Sequence, residues 1–545
     1  MGARPLALAS RPSSDAVRVA VWLLVGLLLS FHTQILSGFA LIQVDLGDIR
    51  FLQYLFEHEW RWLQGDALHP GLWQAPFFFP AQTVGAYGDT VLSLLPLYVP
   101  WRLLGFAPDS ALQATALGIF ACNFLAMYRL LRVTLKLSVG ASIAGAFAFS
   151  FASLRVARIG HLQLCGQFYS VLAIDALLRF FADDSSDLKR RRAIYWFFGC
   201  LLAQLYAGFY VTWMLAFALL IAACLSALHA PTRRKVVRLV AEVWPHCLLA
   251  GLLALLLAWP WLNTYASVAD TVGLRSFAEI EGMLPRLESF LFSGRENWLL
   301  GQLEFTRALA QSLPMAHEHR LFPGVVLLLC GGFGCWLARR KALLVLSLLS
   351  VVLMLLLALQ LPIIKASAWS WVIAWVPGAG ALRAVARLQL MALFPLALGL
   401  AYCAAWLETR RLGLLLAVLA LMFCIEQLTI SPRYDKQQAR AVVRSISAAI
   451  DKRCAAFYLR SSTARPAYAV QLDAMLAGLE RGVPTLNGYS GNTPPGWDLS
   501  EPQLTTRAQL EQWLARFPNS PGGAQLCVVE LVLDPRGQIS AQARK

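Results

Sequence analysis

Apolar runs of about 17 to 25 residues recur along most of this chain, and they constrain its fold more tightly than any other feature. Hydrocarbon offers no partners to backbone N–H and C=O groups. Each run must therefore satisfy its own backbone by coiling into a helix that crosses a bilayer. Composition agrees. The 545 residues are 58% hydrophobic and only 14% charged, where a soluble chain carries roughly a quarter charged residues. Mean hydropathy is +0.58. Eighteen Trp and 14 Tyr suit a protein with two interfaces to anchor.

A net charge of +16 invites a nucleic-acid reading, and the positions of the charges argue against it. The basic residues cluster between apolar runs: Arg129, Arg132 and Lys136; Lys189 to Arg192; Arg233 to Lys235 with Arg238; Arg339 to Lys341; Arg410 and Arg411. Lys and Arg in short loops mark the cytoplasmic side. With the N-terminus inside, spans are expected at about 16–40, 110–131, 138–156, 166–182, 193–208, 210–228, 239–261, 322–338, 342–361, 386–407 and 412–430, eleven or twelve in all. Every basic cluster then falls inside. Loops at about 41–109, 157–165, 262–321 and 362–385, and everything after Ile430, fall outside.

Three segments need separate treatment. Arg4, Arg11 and Arg18 precede an apolar run too long for a signal-peptide core, so it reads as an uncleaved first span. Asp89 to Gly105 is apolar but short and holds two prolines. Counting it as a span would turn the Arg clusters outward, so it reads as re-entrant or interfacial, with a kinked true span as the alternative. The run 193–228 needs a break, and Gly208 within Tyr206 to Tyr210 supplies a turn.

The architecture expected is an all-α polytopic membrane bundle over residues 1–430, with a small extracytoplasmic α/β domain over 431–545. That tail is richer in Pro, Gly and charge and contains the alternating stretch Cys527 to Asp534. Nine of eleven cysteines lie in or beside apolar segments, as small core residues do. Cys454 and Cys527 lie in the tail, and in an oxidising compartment they are candidates for a disulfide. No P-loop, Rossmann glycine pattern or H-E-x-x-H is present. That disfavours an ATP-driven pump and a metalloprotease.

The first outer loop holds the richest chemistry. Asp45 and Asp48 follow span one at i and i+3. On a helix they would share a face, fit to act as a general base toward a hydroxyl or to bind a divalent cation. Two solvated acids, with Asp48 capping the next helix, are the plainer reading. Phe51, Leu52, Leu55, Phe56, Trp60 and Leu63 then recur at helical spacing, as in an amphipathic helix lying on the membrane. The aromatics and prolines of Leu72 to Asp89 suit a substrate mouth or an aromatic belt.

Further on, Arg155, Arg158, His161 and Gln163 crowd one membrane boundary. Arg binds oxyanions bidentately and His exchanges protons near neutral pH; snorkelling is the plainer account of the arginines. Arg383 and Arg387, at i and i+4, place positive charge on the outer side, against the orientation rule. An anionic lipid headgroup would explain it, and so would a loop carboxylate. The loop 262–321 carries His317, Glu318 and His319 among other charges. It reads as a substrate-gating loop or as a solvated connector; H-E-H alone does not complete a metal site.

Taken together, D-L-G-D (Asp45 to Asp48), Glu57 to Gly65, Phe77 to Asp89, Arg158 to Leu164, His319 to Gly324, Leu382 to Arg387 and Gly482 to Trp497 resemble a family of large bacterial membrane proteins. That family in turn resembles the GT-C superfamily of polytopic glycosyltransferases. The resemblance implies transfer of a sugar from a polyprenyl-phosphate carrier to a cell-envelope glycan or lipid, on the outer face of the inner membrane. It implies Asp45 or Asp48 as base or metal contact. Arg155, Arg158, His161, Arg383 and Arg387 are the physical candidates for holding the lipid phosphate. No cofactor is demanded beyond a possible divalent cation. A lipid or glycolipid transporter and a non-catalytic assembly protein are the rival readings. A transferase requires an acid and an outer Arg or His to converge on one cavity.

Overall fold

The computed structural model describes residues 12–183, 185–361, 366–518, 525–533 and 539–544. Arg4, Arg11 and Asp534 lie outside the described residues. The chain begins with α1 (Pro12–Leu36), β1 (Leu41–Gln43) and α2 (Asp48–Leu63). After α3 (Leu95–Leu103) come α4 (Pro108–Arg129), α5 (Val139–Phe151), α6 (Phe168–Phe181), α7 (Asp187–Ala207), α8 (Phe209–Leu228) and α9 (Ala230–Val272). Past α10 (Glu304–Ser312), the chain forms α11 (Val325–Leu337), α12 (Ala342–Ala358), α13 (Trp369–Trp375), α14 (Leu393–Thr409) and α15 (Gly413–Gln427). The tail holds β2 (Arg433–Asp435), α16 (Lys436–Ala449), β3 (Ala456–Ser461), α17 (Ala467–Arg481), α18 (Arg507–Leu514), β4 (Leu526–Leu533) and β5 (Ile539–Arg544).

Among the described residues, seven helices are long and apolar enough to cross a membrane, and three more apolar helices, α11, α12 and α15, are shorter. The fifth expected span, 193–208, coincides with α7, whose first turns carry Asp187 and Lys189 to Arg192. The segment Asp89 to Gly105, expected to be re-entrant or interfacial, holds only a short helix. Its helix α3 has nine residues, about 14 Å of rise against a hydrocarbon core of about 30 Å.

Close packing at the centre of the bundle depends on missing side chains. Gly331 and Gly334 of α11 face Gly399 of α14, and a Cβ on Gly334 or Gly399 would collide with the backbone of the facing helix. Lipid supplies no hydrophobic drive between helices, so such small-residue contact provides the attraction. In contrast α9 turns Leu252, Leu255, Leu256, Leu257 and Trp259 outward, a lipid-facing stripe.

The tail is rooted against the first outer loop. β1 and β2 pair antiparallel, Leu41 with Asp435, so the chain leaving the first span meets the chain leaving the last. β3, β4 and β5 form a mixed sheet, parallel between β3 and β4 and antiparallel between β4 and β5. A Cys454–Cys527 disulfide joins the segment before β3 to β4.

The amphipathic helix α2 does not lie on a membrane surface. Both its faces are covered: Arg50, Glu57, His58 and Glu59 are buried together with Phe51, Leu52, Leu55 and Phe56. The helix packs against α3, α4 and the tail: Glu57 pairs with Arg102 of α3, and Arg50 pairs with Asp473 of α17 at 2.7 Å. An alternating pattern shows two chemically different faces, but not whether the polar one meets water or protein.

Candidate active site

A cavity of about 330 Å³ opens where α2, the chain between α5 and α6, the end of α9, the start of α8 and the chain before α14 converge. Asp48, Asp89, His161, Glu318, Arg383, Arg387 and Tyr489 line it. These residues come from six separate stretches of sequence. The basic clusters stand at the opposite ends of the same helices: α9 starts beside Arg233 to Arg238 and finishes at the cavity with Val268 and Val272.

Asp48 is the first residue of α2, behind the cap residue Gly47. The helix N-terminus favours negative charge there. Its Oδ1 accepts from the Tyr489 hydroxyl at 2.8 Å, and its Oδ2 lies 3.4 Å from His161 Nε2. Burial, then the neighbouring Asp48, pushes the Tyr489 hydroxyl upward, so it stays a donor. Burial and the Arg387 charge pull His161 down to about 4. At neutral pH its Nε2 lone pair accepts from Arg387 Nη2 at 3.0 Å. That leaves the proton on Nδ1, so the contact with Asp48 is a close approach rather than an ion pair.

Glu318 organises the cationic side. Its Oε2 accepts from Arg158 Nη1 at 2.5 Å, and its Oε1 accepts from Arg387 Nη2 at 2.6 Å. Burial alone would raise its carboxyl, but Arg158 and Arg387 hold it well below the usual range. Arg387 also lies over the Tyr210 ring, 5.4 Å from its centre. The Tyr210 hydroxyl accepts the backbone N–H of Arg383 at 2.9 Å. The Arg383 side chain is exposed to the cavity and makes no ion pair among the described residues, which leaves its guanidinium free for an oxyanion. Asp89 closes the far wall. Its Oδ1 accepts the N–H of Phe209, at the start of α8, while burial raises its carboxyl.

Several expectations need correction. Asp45 does not line this cavity: it is exposed, and its Oδ1 accepts from Gly47 N. It precedes the helix, so it shares no helix face with Asp48. Arg155 is fully buried and donates to the carbonyls of Phe149 and Cys165 and to Gln167 Oε1. It braces the broken chain between α5 and α6 and does not line the cavity. Arg158 is committed to Glu318 and its backbone, and it stands behind the cavity wall. Arg383 and Arg387 do not share an α-helical face, because the 3-10 helix carrying Arg387 begins only at Val385. The loop 262–321 is no plain connector, since it supplies Arg275, His317 and Glu318 to the lining.

Glu318, Asp89 and Tyr489 carry weight that sequence spacing did not assign. Each sat in a block already marked by the resemblance or beside one. No local pattern announces a carboxylate that bridges two arginines 160 and 69 residues away. Among the described residues no group of three or more His, Cys, Asp or Glu is arranged to hold a metal ion. A second cavity, of about 320 Å³, lies between α2, the start of α4 and the tail. Its Arg50, Arg61, Arg102 and Arg440 each meet a carboxylate, so it is a polar seam between tail and bundle.

No family model and no curated protein sequence matches the chain. Solved structures do. The archaeal oligosaccharyltransferase AglB from Archaeoglobus fulgidus, in complex with an inhibitory peptide and a dolichol-phosphate, aligns at 11% identity with a TM-score of 0.50, covering 98% of this chain and 74% of that one. The apo form of an Archaeoglobus fulgidus oligosaccharyltransferase aligns at 13% identity and a TM-score of 0.44, covering 86% and 64%. ArnT from Cupriavidus metallidurans in the apo state aligns at 11% and 0.41, covering 97% and 98%. The chain thus has the fold of a polytopic GT-C-like membrane protein, as the sequence blocks led us to expect.

Proposed function

We propose that the chain is a GT-C-like glycosyltransferase that moves a sugar from a polyprenyl-phosphate carrier to a hydroxyl of an envelope glycan or lipid. One observation carries this reading. Asp48, the uncommitted Arg383 and the Arg387–His161 pair line a single cavity at one end of the bundle. The neighbour of similar fold was solved with a dolichol-phosphate, and a cavity with a free guanidinium, that of Arg383, at the end of an apolar bundle suits such an anionic headgroup.

In this reading Asp48 takes the proton of the acceptor hydroxyl as its oxygen forms a bond to the anomeric carbon. The bond from that carbon to the phosphate oxygen breaks, and the carrier phosphate departs with the electron pair. Arg383 and Arg387 meet the charge that develops on the leaving phosphate. Attack opposite the leaving group inverts the anomeric centre. The Tyr489 hydroxyl donates to the Asp48 carboxylate and holds it in place without neutralising it. By the positive-inside rule the cavity and tail face outward and the N-terminus is cytoplasmic; a bacterial inner membrane is the setting that the sequence resemblance implies.

The test is complementation of a deletion strain, with envelope glycans read by mass spectrometry. Asp48→Asn should lower transfer by about 10²- to 10⁴-fold, the usual worth of a positioned general base, while Asp45→Asn should leave it close to wild type. A deletion strain with unaltered glycans would remove the basis for this reading.

A further inference from the structure

Three apolar helices of the bundle are too short for their task. α11, α12 and α15 have 13, 17 and 15 residues, which rise about 20, 26 and 22 Å against a hydrocarbon core of about 30 Å. α11 and α15 meet at the cavity-side end, where Glu426 accepts the N–H of Val326 at 3.0 Å. The loop that follows α9 wraps this same end. Trp298 N donates to Leu428 O and Ile430 N donates to Glu296 O, both just beyond α15. Gln360 N donates to Pro285 O, just beyond α12.

Over 287–305 this loop exposes six large apolar residues, interspersed with Glu288, Arg295, Gln302 and Glu304, and buries polar groups beside Phe292. Its buried positions include the polar Ser289, Asn297 and Thr306. Their polar groups are satisfied within the protein: Ser289 by His319, Asn297 by Glu426 O and Thr306 by Leu300 O. Its exposed positions include Leu287, Leu291, Trp298, Leu299, Leu303 and Phe305, each 46% to 59% exposed. In water that arrangement is unfavourable, because large apolar groups face solvent. In lipid it is the expected one. Across the gap, α13 exposes Trp371 and Trp375 at 71% and 83%, as Trp does at a membrane interface.

We propose that residues 287–305 form a collar inserted into the bilayer leaflet on the cavity side, with lipid acyl chains as the partner. The collar supplies the apolar length that α11, α12 and α15 lack, and it continues their lipid-facing surface through Ile430. The exposed Arg295 can extend its charge back to the headgroups. The same loop ends at Glu318, which holds Arg387 at the cavity. The cavity wall is thereby fixed at headgroup depth, the level at which a lipid-borne substrate presents its polar group. The insertion itself does not depend on the catalytic reading.

The test uses the full chain in vesicles of phosphatidylethanolamine and phosphatidylglycerol doped with a lipid that carries a diazirine on its acyl chain. Irradiation should give lipid adducts on peptides covering 287–305, at yields like those on the Leu252–Leu257 stripe of α9. In the same vesicles a membrane-impermeant maleimide should label Leu299→Cys several-fold more slowly than Glu501→Cys, each quantified on its own peptide. Absence of adducts from 287–305 on the wild-type chain would overturn the proposal. Equal labelling of the two cysteines would also overturn it. Loss of glycosyl transfer, or its absence, moves none of these readouts.

Discussion

At the residue scale, burial decides which ionisable groups stay neutral. Burial raises Glu59 to about 8, opposed by the Val91 N–H and Thr90 hydroxyl that its Oε1 accepts. A carboxyl raised from 4.5 to about 8 stabilises the fold below 4.5, and that stability is lost as pH rises toward 8. Glu59→Gln, which keeps the shape without the charge, should therefore raise the melting temperature more at pH 8 than at pH 5. Thermal unfolding of the detergent-solubilised chain at the two pH values checks this. His58 and His161, both near 4, and His69, near 3, act in the other direction. Each is neutral in the fold, so the stability it contributes is present above its ordinary value of 6.5 and falls as pH drops toward 4. Titration of His161 by histidine-selective NMR should give a midpoint near 4, and Arg387→Met, which removes both the adjacent charge and the donor to Nε2, should move it upward. The same scale explains what the sequence disclosed of the site. Asp48, His161 and Arg387 stood out because a charge or imidazole beside an apolar run demands a reason. Arg155 stood out identically and proved to be a brace, since sequence shows an arginine's position but not the carbonyls it can reach.

At the element scale, the spans were legible because burial within lipid leaves few choices, and most helix boundaries fell near the ends of the apolar runs, although α9 runs well past both ends of 239–261. The contacts between spans were not, because they turn on glycines that no hydropathy pattern distinguishes. Gly399 lies against the backbone of Gly331 and the Cys335 sulfur, where a Cβ has no room. Gly399→Val should destabilise the bundle by about 1 to 3 kcal/mol, the usual cost of overpacking a well-packed contact. Gly413, with open space around it, should accept alanine with little change. Denaturation of both variants in the same detergent separates the two. For α2 the pattern revealed amphipathicity but not the partner of its polar face. Arg50 and Asp473 are 2% and 0% exposed, and Arg465 also holds Asp473 at 2.5 Å. Arg50→Leu strands part of a buried charge and should cost about 3 kcal/mol, the low end for breaking such a pair, because Arg465 stays behind.

At the scale of the whole molecule, the tail is a wall of the site as well as an appendage of the bundle. β2 roots it on β1, Arg440 clamps Asp109 at the start of α4, and Tyr489 reaches Asp48 across 441 residues of sequence. Sequence composition marked the change of character after Ile430, but a composition shift cannot tell which loop a tail lies against. The tail's own fold must therefore stay intact for the cavity to keep its shape, and a covalent link contributes to that. The Cys454–Cys527 disulfide ties together residues 73 apart. Closing a loop of that length removes unfolded-state freedom worth about 4 kcal/mol in the chain-entropy account, with 2 to 4 typical of measured bridges. Cys454→Ala with Cys527→Ala should leave the bundle folded, because its contacts do not involve the bridge. It should lower the unfolding temperature of the tail, read by the protection of tail peptides in hydrogen exchange. Reductant should do the same to the wild-type chain and nothing further to the double variant. If the tail wall matters to Asp48, then amide protection at the start of α2, around Ile49 to Leu52, should fall in step with protection of the Tyr489 loop, while the centre of α14 remains unchanged. Loss of protection in the tail alone, with α2 unaffected, would mean that the root at β1 and β2 suffices to hold the first loop.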